Sequence, residues 1–121
     1  MMHSIFCLLL VLAEVESNCN DNAIGKHGEV GRYQISQCYL DDVNRVQRWH
    51  YTLDEMRDAE KARKVVIAYL AYYGEIYRKE NKKEPTIEVL ARIHNGGPYG
   101  YRKDCTIGYW QKIKRAMEEK Q

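Results

Sequence analysis

The sequence predicts a mainly α-helical domain, and three observations predict it. Apolar residues recur at i+3 and i+4 spacing over long stretches, most clearly at Met56, Ala59, Ala62, Val66, Tyr69, Leu70, Tyr73 and Ile76. Helix-start chemistry stands ahead of such stretches, as at Thr52 with Glu55 three residues on. Asn and Gly, the strongest punctuators, crowd into residues 18–31 and 95–97 instead of recurring at strand-like intervals.

The first helix is expected over Ser4 to Ser17. Its apolar run, Ile5 to Ala13, also has the length of a signal-peptide core with a cut after Ala13. Against that, residues 1–4 carry no Lys or Arg, and the run continues unbroken into polar residues of chemical interest. It is too short to span a bilayer. A buried helix, apolar on every face, reads the same way. Residues 18–31 then predict turns, and Val30 to Ile35 a brief extended or β-hairpin piece. Tyr39 to Val46 follows as a short helix. Thr52 opens a helix running to about Glu80, with Arg57, Glu60, Lys61 and Lys64 on its solvated side. Asn81 to Glu84 is a charged connector. Pro85 suits a helix start, Thr86 to His94 is helical, and Asn95-Gly96-Gly97-Pro98 stops it. The last helix runs from Thr106 to about Lys120, with Ile107, Trp110, Ile113 and Met117 on one side.

With 121 residues and no repeat or linker, the whole chain, 1–121, reads as one domain. A net charge of +2 falls far short of a nucleic-acid footprint, so no nucleic-acid partner is expected. Neither stable membrane insertion nor a bound cofactor is expected. Cys7, Cys19, Cys38 and Cys105 show no metal-ligand spacing, so no metal site is expected. They allow three disulfide pairings, among them Cys19 with Cys38; cleavage after Ala13 would leave an odd number. Ten Tyr and two Trp offer rings with a polar edge, suited to sugars and equally to a core.

Glu16 is the candidate acid, with a plain helix-end charge as the alternative. A carboxyl at the end of an apolar helix loses hydration of its charged form, which favours the protonated acid that a glycosidic oxygen needs. Glu14, two residues earlier, lies about 200° around the helix and faces elsewhere.

Glu16-Ser17, Asn22-Ala23-Ile24-Gly25 and Gly28-Glu29-Val30-Gly31-Arg32-Tyr33-Gln34-Ile35 resemble the first motif of the soluble lytic transglycosylase and goose-type lysozyme superfamily. Ala91-Arg92-Ile93-His94-Asn95-Gly96-Gly97-Pro98 is similar to its second motif, and Thr106-Ile107-Gly108-Tyr109-Trp110-Gln111-Lys112-Ile113 to its third. Together they cover about residues 8–115. The resemblance implies a lysozyme-like fold, a compact helical domain with a small β-hairpin or extended segment beside a cleft. It implies a peptidoglycan glycan strand as partner, a monomer, and Glu16 as general acid on the bond between N-acetylmuramic acid and N-acetylglucosamine. Ser17 would steady Glu16 or contact substrate. Gln34 and the backbone around Tyr33 would line a subsite, Asn95 would bond an N-acetyl group or hydroxyl, and Tyr109 would orient Glu16. His94 stands where the family has Tyr, and Arg32 and Tyr33 replace an apolar pair.

Most glycosidases use two carboxylates, and Asp21 and Glu29 are the candidates for the second. With one, water would be activated, as in a lysozyme; with neither, the muramyl 6-hydroxyl would close an anhydro ring. A non-catalytic peptidoglycan- or chitooligosaccharide-binding relative is the rival reading, and a plain helical interaction domain a third. The location expected is extracellular, with a phage-type or intracellular setting as the alternative.

Overall fold

Five α-helices and three short 3₁₀ turns make up the architecture in a computed structural model describing residues 5–120: α1 (Ile5–Ser17), α2 (Gln37–Gln47), α3 (Ala59–Asn81), α4 (Ile87–Gly96) and α5 (Ile107–Glu118). No named strand occurs among the described residues. The expected β element is reduced to two isolated antiparallel bridges, Ile24 with Val30 and Val30 with Ile35. Ala13–Tyr69 forms one compact unit. The described residues up to Leu12, with those from Leu70 onward, form the other.

Leu8, Leu9, Val11, Leu12 and Ala13 of α1 are core residues, each at most 3% exposed. A cut after Ala13 would remove these five buried side chains. Phe6 and Leu10 face outward. The helix stops where Asn18 and Cys19 both take positive φ, with the Asn18 N–H donating to Glu14 O and the Cys19 N–H to Ala13 O.

Residues 20–35 form stacked turns. The Gly25 N–H donates to Glu29 O, the Gly31 N–H to Ala23 O, and Val30 and Ile35 exchange both backbone bonds around the four residues between them. Gly31 has φ +85°, and a Cβ there would collide with the Met56 carbonyl, so only glycine fits. Ser36 then caps α2 by accepting from the Tyr39 N–H.

The Thr52 capping box exists but opens a 3₁₀ turn, Leu53–Arg57, and not the long helix expected. Asp58 is extended and caps α3 itself, accepting the Lys61 N–H at 3.0 Å. A carboxylate is as good a cap as a hydroxyl, so two consecutive caps divide what periodicity alone joins. Ala62, Val65, Val66, Ala68, Tyr69, Leu70 and Tyr77 form the buried face of α3. Thr86, rather than Pro85, caps α4, and Gly97 with φ +92° ends it. In α5, Ile113 and Met117 are buried, whereas Ile107 is exposed. Cys19, Cys38 and Cys105 are surface thiols, and Cys19 and Cys38 are not bridged.

Candidate active site

Glu16 occupies the last turn of α1, half-buried. Tyr39, from the first turn of α2, is 7% exposed and stacks on Tyr69 of α3, ring centroids 3.6 Å apart and planes within 9°. Burial, then Tyr69, then the charge of Glu16 push the Tyr39 phenol well above its ordinary range. The charge of Glu16 thus acts on one member of a buried aromatic pair, and Tyr39 stays a neutral hydroxyl. An apolar wall with one protonated phenol is suited to holding an acid in place.

The residues expected around Glu16 divide into those that build the loop and those that face outward. The Ser17 hydroxyl donates to Arg32 O at 2.9 Å and accepts the Asn20 N–H at 2.9 Å. It ties the end of α1 to the turn stack. Gln34, expected to line a subsite, commits its amide to Gly31 O at 3.0 Å and Ala23 O at 3.4 Å. Both carbonyls also accept a backbone N–H, Ala23 O from Gly31 and Gly31 O from Gln34, so the amide reinforces a turn that the backbone already closes. Tyr33 is 4% exposed, so its ring is core and cannot present a face to sugar. Burial also raises its phenol above the ordinary value, opposed by Arg32 and Arg63.

Asp21 and Glu29 part company. Asp21 takes both Arg32 donors, Nε at 2.7 Å and Nη2 at 3.3 Å, a fork that fixes the loop. Glu29 accepts the His27 N–H at Oε1, 3.0 Å. Its carboxylate and the Gln34 carboxamide oxygen both pack over Gly25, where a Cβ would meet them.

The second and third motifs lie in the other unit. His94 is buried at 7% exposure, Asn95 is exposed and Tyr109 half-buried. What organises this region is a pair that the sequence reading passed over. Arg92 Nε donates to Thr106 Oγ1 at 2.8 Å, its Nη1 to Glu88 at 2.8 Å and its Nη2 to Lys103 O at 2.9 Å. The Thr106 hydroxyl, fully buried, donates to Gly100 O at 2.7 Å. Gly100 itself presses on the Arg92 carbonyl, where no Cβ fits. Both residues were present in the motifs, Arg92 two before His94 and Thr106 opening the third. Among the described residues, no group of three His, Cys, Asp or Glu could hold a metal ion, and no helix is long and apolar enough to cross a membrane.

The mainly helical fold is of the lysozyme-like class. A chain in the crystal structure of Aeromonas hydrophila PliI in complex with Meretrix lusoria lysozyme superposes with a TM-score of 0.75 at 26% identity, covering 93% of this chain and 88% of that one. The chain belongs to the Destabilase family, whose model matches residues 5–116. Invertebrate-type lysozyme 6 of Caenorhabditis elegans is 30% identical over 122 residues, 88% of this chain and 82% of its own length. Lysozyme of Magallana gigas is 33% identical over 111 residues, 87% of this chain and 74% of its own. Lysozyme 1 of Crassostrea virginica is 31% identical over 112 residues, of which this chain spans 56% of the relative's length.

The family is therefore not the soluble lytic transglycosylase and goose-type one that the motifs resembled. Those motifs are dense in turn residues, and Gly31, Gln34 and Gly97 all take positive φ. Backbone geometry selects such residues whatever the lineage. The departures at Arg32, Tyr33 and His94 were the signal: the first braces Asp21 and the other two are buried.

Proposed function

We propose that the protein is a lysozyme that hydrolyses the β-1,4 bond between N-acetylmuramic acid and N-acetylglucosamine in bacterial peptidoglycan, acting outside the cell as a monomer. The observation that carries this is Glu16, half-buried near the neutral Tyr39 phenol, in a chain whose relatives are named lysozymes.

Glu16 acts as general acid: its proton passes to the glycosidic oxygen as the bond to the muramyl anomeric carbon breaks. Positive charge then develops on the ring carbon and oxygen. Asp21 is occupied by Arg32 on both oxygens, which leaves Glu29 to face that charge and water. Water adds at the anomeric carbon, and its proton returns to a carboxylate. Within the unit from Leu70 onward, Asn95, exposed in the last turn of α4, the half-buried Tyr109 and the buried His94 are candidates for substrate recognition; within Ala13–Tyr69, the backbone of residues 31–34 is the candidate.

Mass spectrometry of the sugar ends tests the reading. Digested peptidoglycan should yield reducing muramyl ends that carry one added water. Ends one water lighter, the anhydro form, would instead assign the lytic transglycosylase route. Binding of the wall polymer with no new ends of either kind would leave a non-catalytic glycan binder.

A further inference from the structure

We propose that the open groove at the C-terminal end of α3 is a docking site for a flexible phosphodiester polymer built on a simple polyol. The groove has a volume of about 470 Å³ and is lined by Arg78, Lys79, Lys82, Lys83 and Glu84. Arg78 is already engaged by Glu75, at 2.9 and 2.6 Å. Lys82 takes φ +61° and donates its N–H to Arg78 O, so the chain turns at that point and Lys82 and Lys83 line the same hollow as the last turn of the helix. One or two cations satisfy a helix C-terminus. With Arg78 paired, Lys79, Lys82 and Lys83 still face a single carboxylate, Glu84, around one hollow, and such an excess focuses positive potential on whatever enters.

The surroundings extend the charge. This unit carries eleven Lys and Arg against seven Asp and Glu, a net of +4, while the unit Ala13–Tyr69 carries eight against ten, a net of −2. The Tyr99 hydroxyl donates to Glu80 and Asn81 donates to the Tyr101 hydroxyl, which sets the 99–102 turn against the end of α3. Arg102 lies over the Tyr99 ring at 4.5 Å to the centroid.

The same details select the ligand class. Lysine stems give a groove apolar walls beneath charged heads, which suits a polymer of short carbon units between phosphates. Arg102 covers the Tyr99 face, and Tyr101 packs edge-on against Tyr77. The groove lining itself holds no aromatic ring, the stacking platform that single-stranded nucleic acid uses. The lining holds no large apolar side chain to enter a bilayer interface. The inference rests on the proposed wall substrate in one respect: phosphodiester polymers are threaded through many bacterial walls, so docking on one would hold the enzyme beside its glycan.

Fluorescence anisotropy with labelled polyglycerol phosphate tests this on the full chain. Lys79→Gln/Lys82→Gln/Lys83→Gln should weaken binding on the order of a hundredfold at low salt, from about fivefold per cation at an anionic surface. Lys112→Gln/Lys114→Gln/Arg115→Gln, with the same charge change on α5, should alter it by no more than about threefold. Equal losses in the two variants would overturn the site, since net charge alone would explain them. Tighter binding to single-stranded DNA or to anionic vesicles than to the polymer would overturn the ligand class, and no binding by the unmodified chain would overturn both. Hydrolysis of a soluble uncharged oligosaccharide should be unaffected by the α3 variant. Polymer binding without hydrolysis would retain the groove and remove the lysozyme reading.

Discussion

Ser17→Ala separates two roles for the residue beside the proposed acid. In the fold its hydroxyl joins the last turn of α1 to the turn stack through Arg32 O and the Asn20 N–H, both at 2.9 Å. Each such bond contributes about 1 kcal/mol net. The site is half-buried, so water recovers part of one bond, and the expected loss is about 1–2 kcal/mol. In a domain of this size that lowers the melting temperature by roughly 4 °C per kcal/mol. Thermal and urea unfolding read the stability; release of reducing ends from peptidoglycan reads activity. With its anchor cut, the last turn of α1 holds Glu16 less firmly, so kcat should fall while KM stays near its original value. Stability changed by less than about 0.3 kcal/mol, together with a raised KM, would refute the reasoning and place the hydroxyl on the substrate.

Two further outcomes follow from the same geometry. Thr106→Val keeps the shape but strips Arg92 Nε of its partner at a fully buried position and leaves Gly100 O with the Lys103 N–H alone, so unfolding in urea should show a loss of about 2–3 kcal/mol; a loss under about 1 kcal/mol would show that the brace contributes little. Tyr39 and Tyr33 have folded pKa values raised above the ordinary 10.0. Their contribution is therefore fully present below pH 10.0 and is lost as pH climbs from there towards the folded values. Melting scans across that range should fall with a slope approaching about 1.4 kcal/mol per pH unit for each fully buried phenol, and Tyr39→Phe should flatten the fall; an unchanged slope in that variant would remove Tyr39 as its source.

The helices were legible because their signals are local. The apolar run of α1, the periodic face of α3 and the Ile113/Met117 side of α5 are visible in spacing alone. The break at Asp58 was not, because Asp58 and Thr52 are equivalent capping signals and periodicity runs across both. The small β element was legible as a brief hairpin or extended piece, and it amounts to two bridges. Gly28, Gly31 and Gln34 take positive φ, which turns the chain too often for a strand to extend between them. The place of Glu16 at the end of α1 was legible from the change from apolar helix to polar loop. The roles of Ser17, Gln34 and Tyr33 were not, since a polar or aromatic residue beside a turn reads alike whether it faces substrate or satisfies the loop. The partnership of Arg92 with Thr106 spans fourteen residues, and no local pattern announces a bond at that range. The aromatic pair near Glu16 was hidden likewise: Tyr39 and Tyr69 meet only once α2 and α3 pack.

The most direct measurement is the release of new reducing ends from purified peptidoglycan by Glu16→Gln beside the unmodified chain. The substitution keeps the shape and removes the proton that must reach the glycosidic oxygen. The account predicts cleavage lost by at least about 100-fold, with melting temperature and wall binding retained. Cleavage by the folded variant at the unmodified rate would contradict it and place the acid elsewhere.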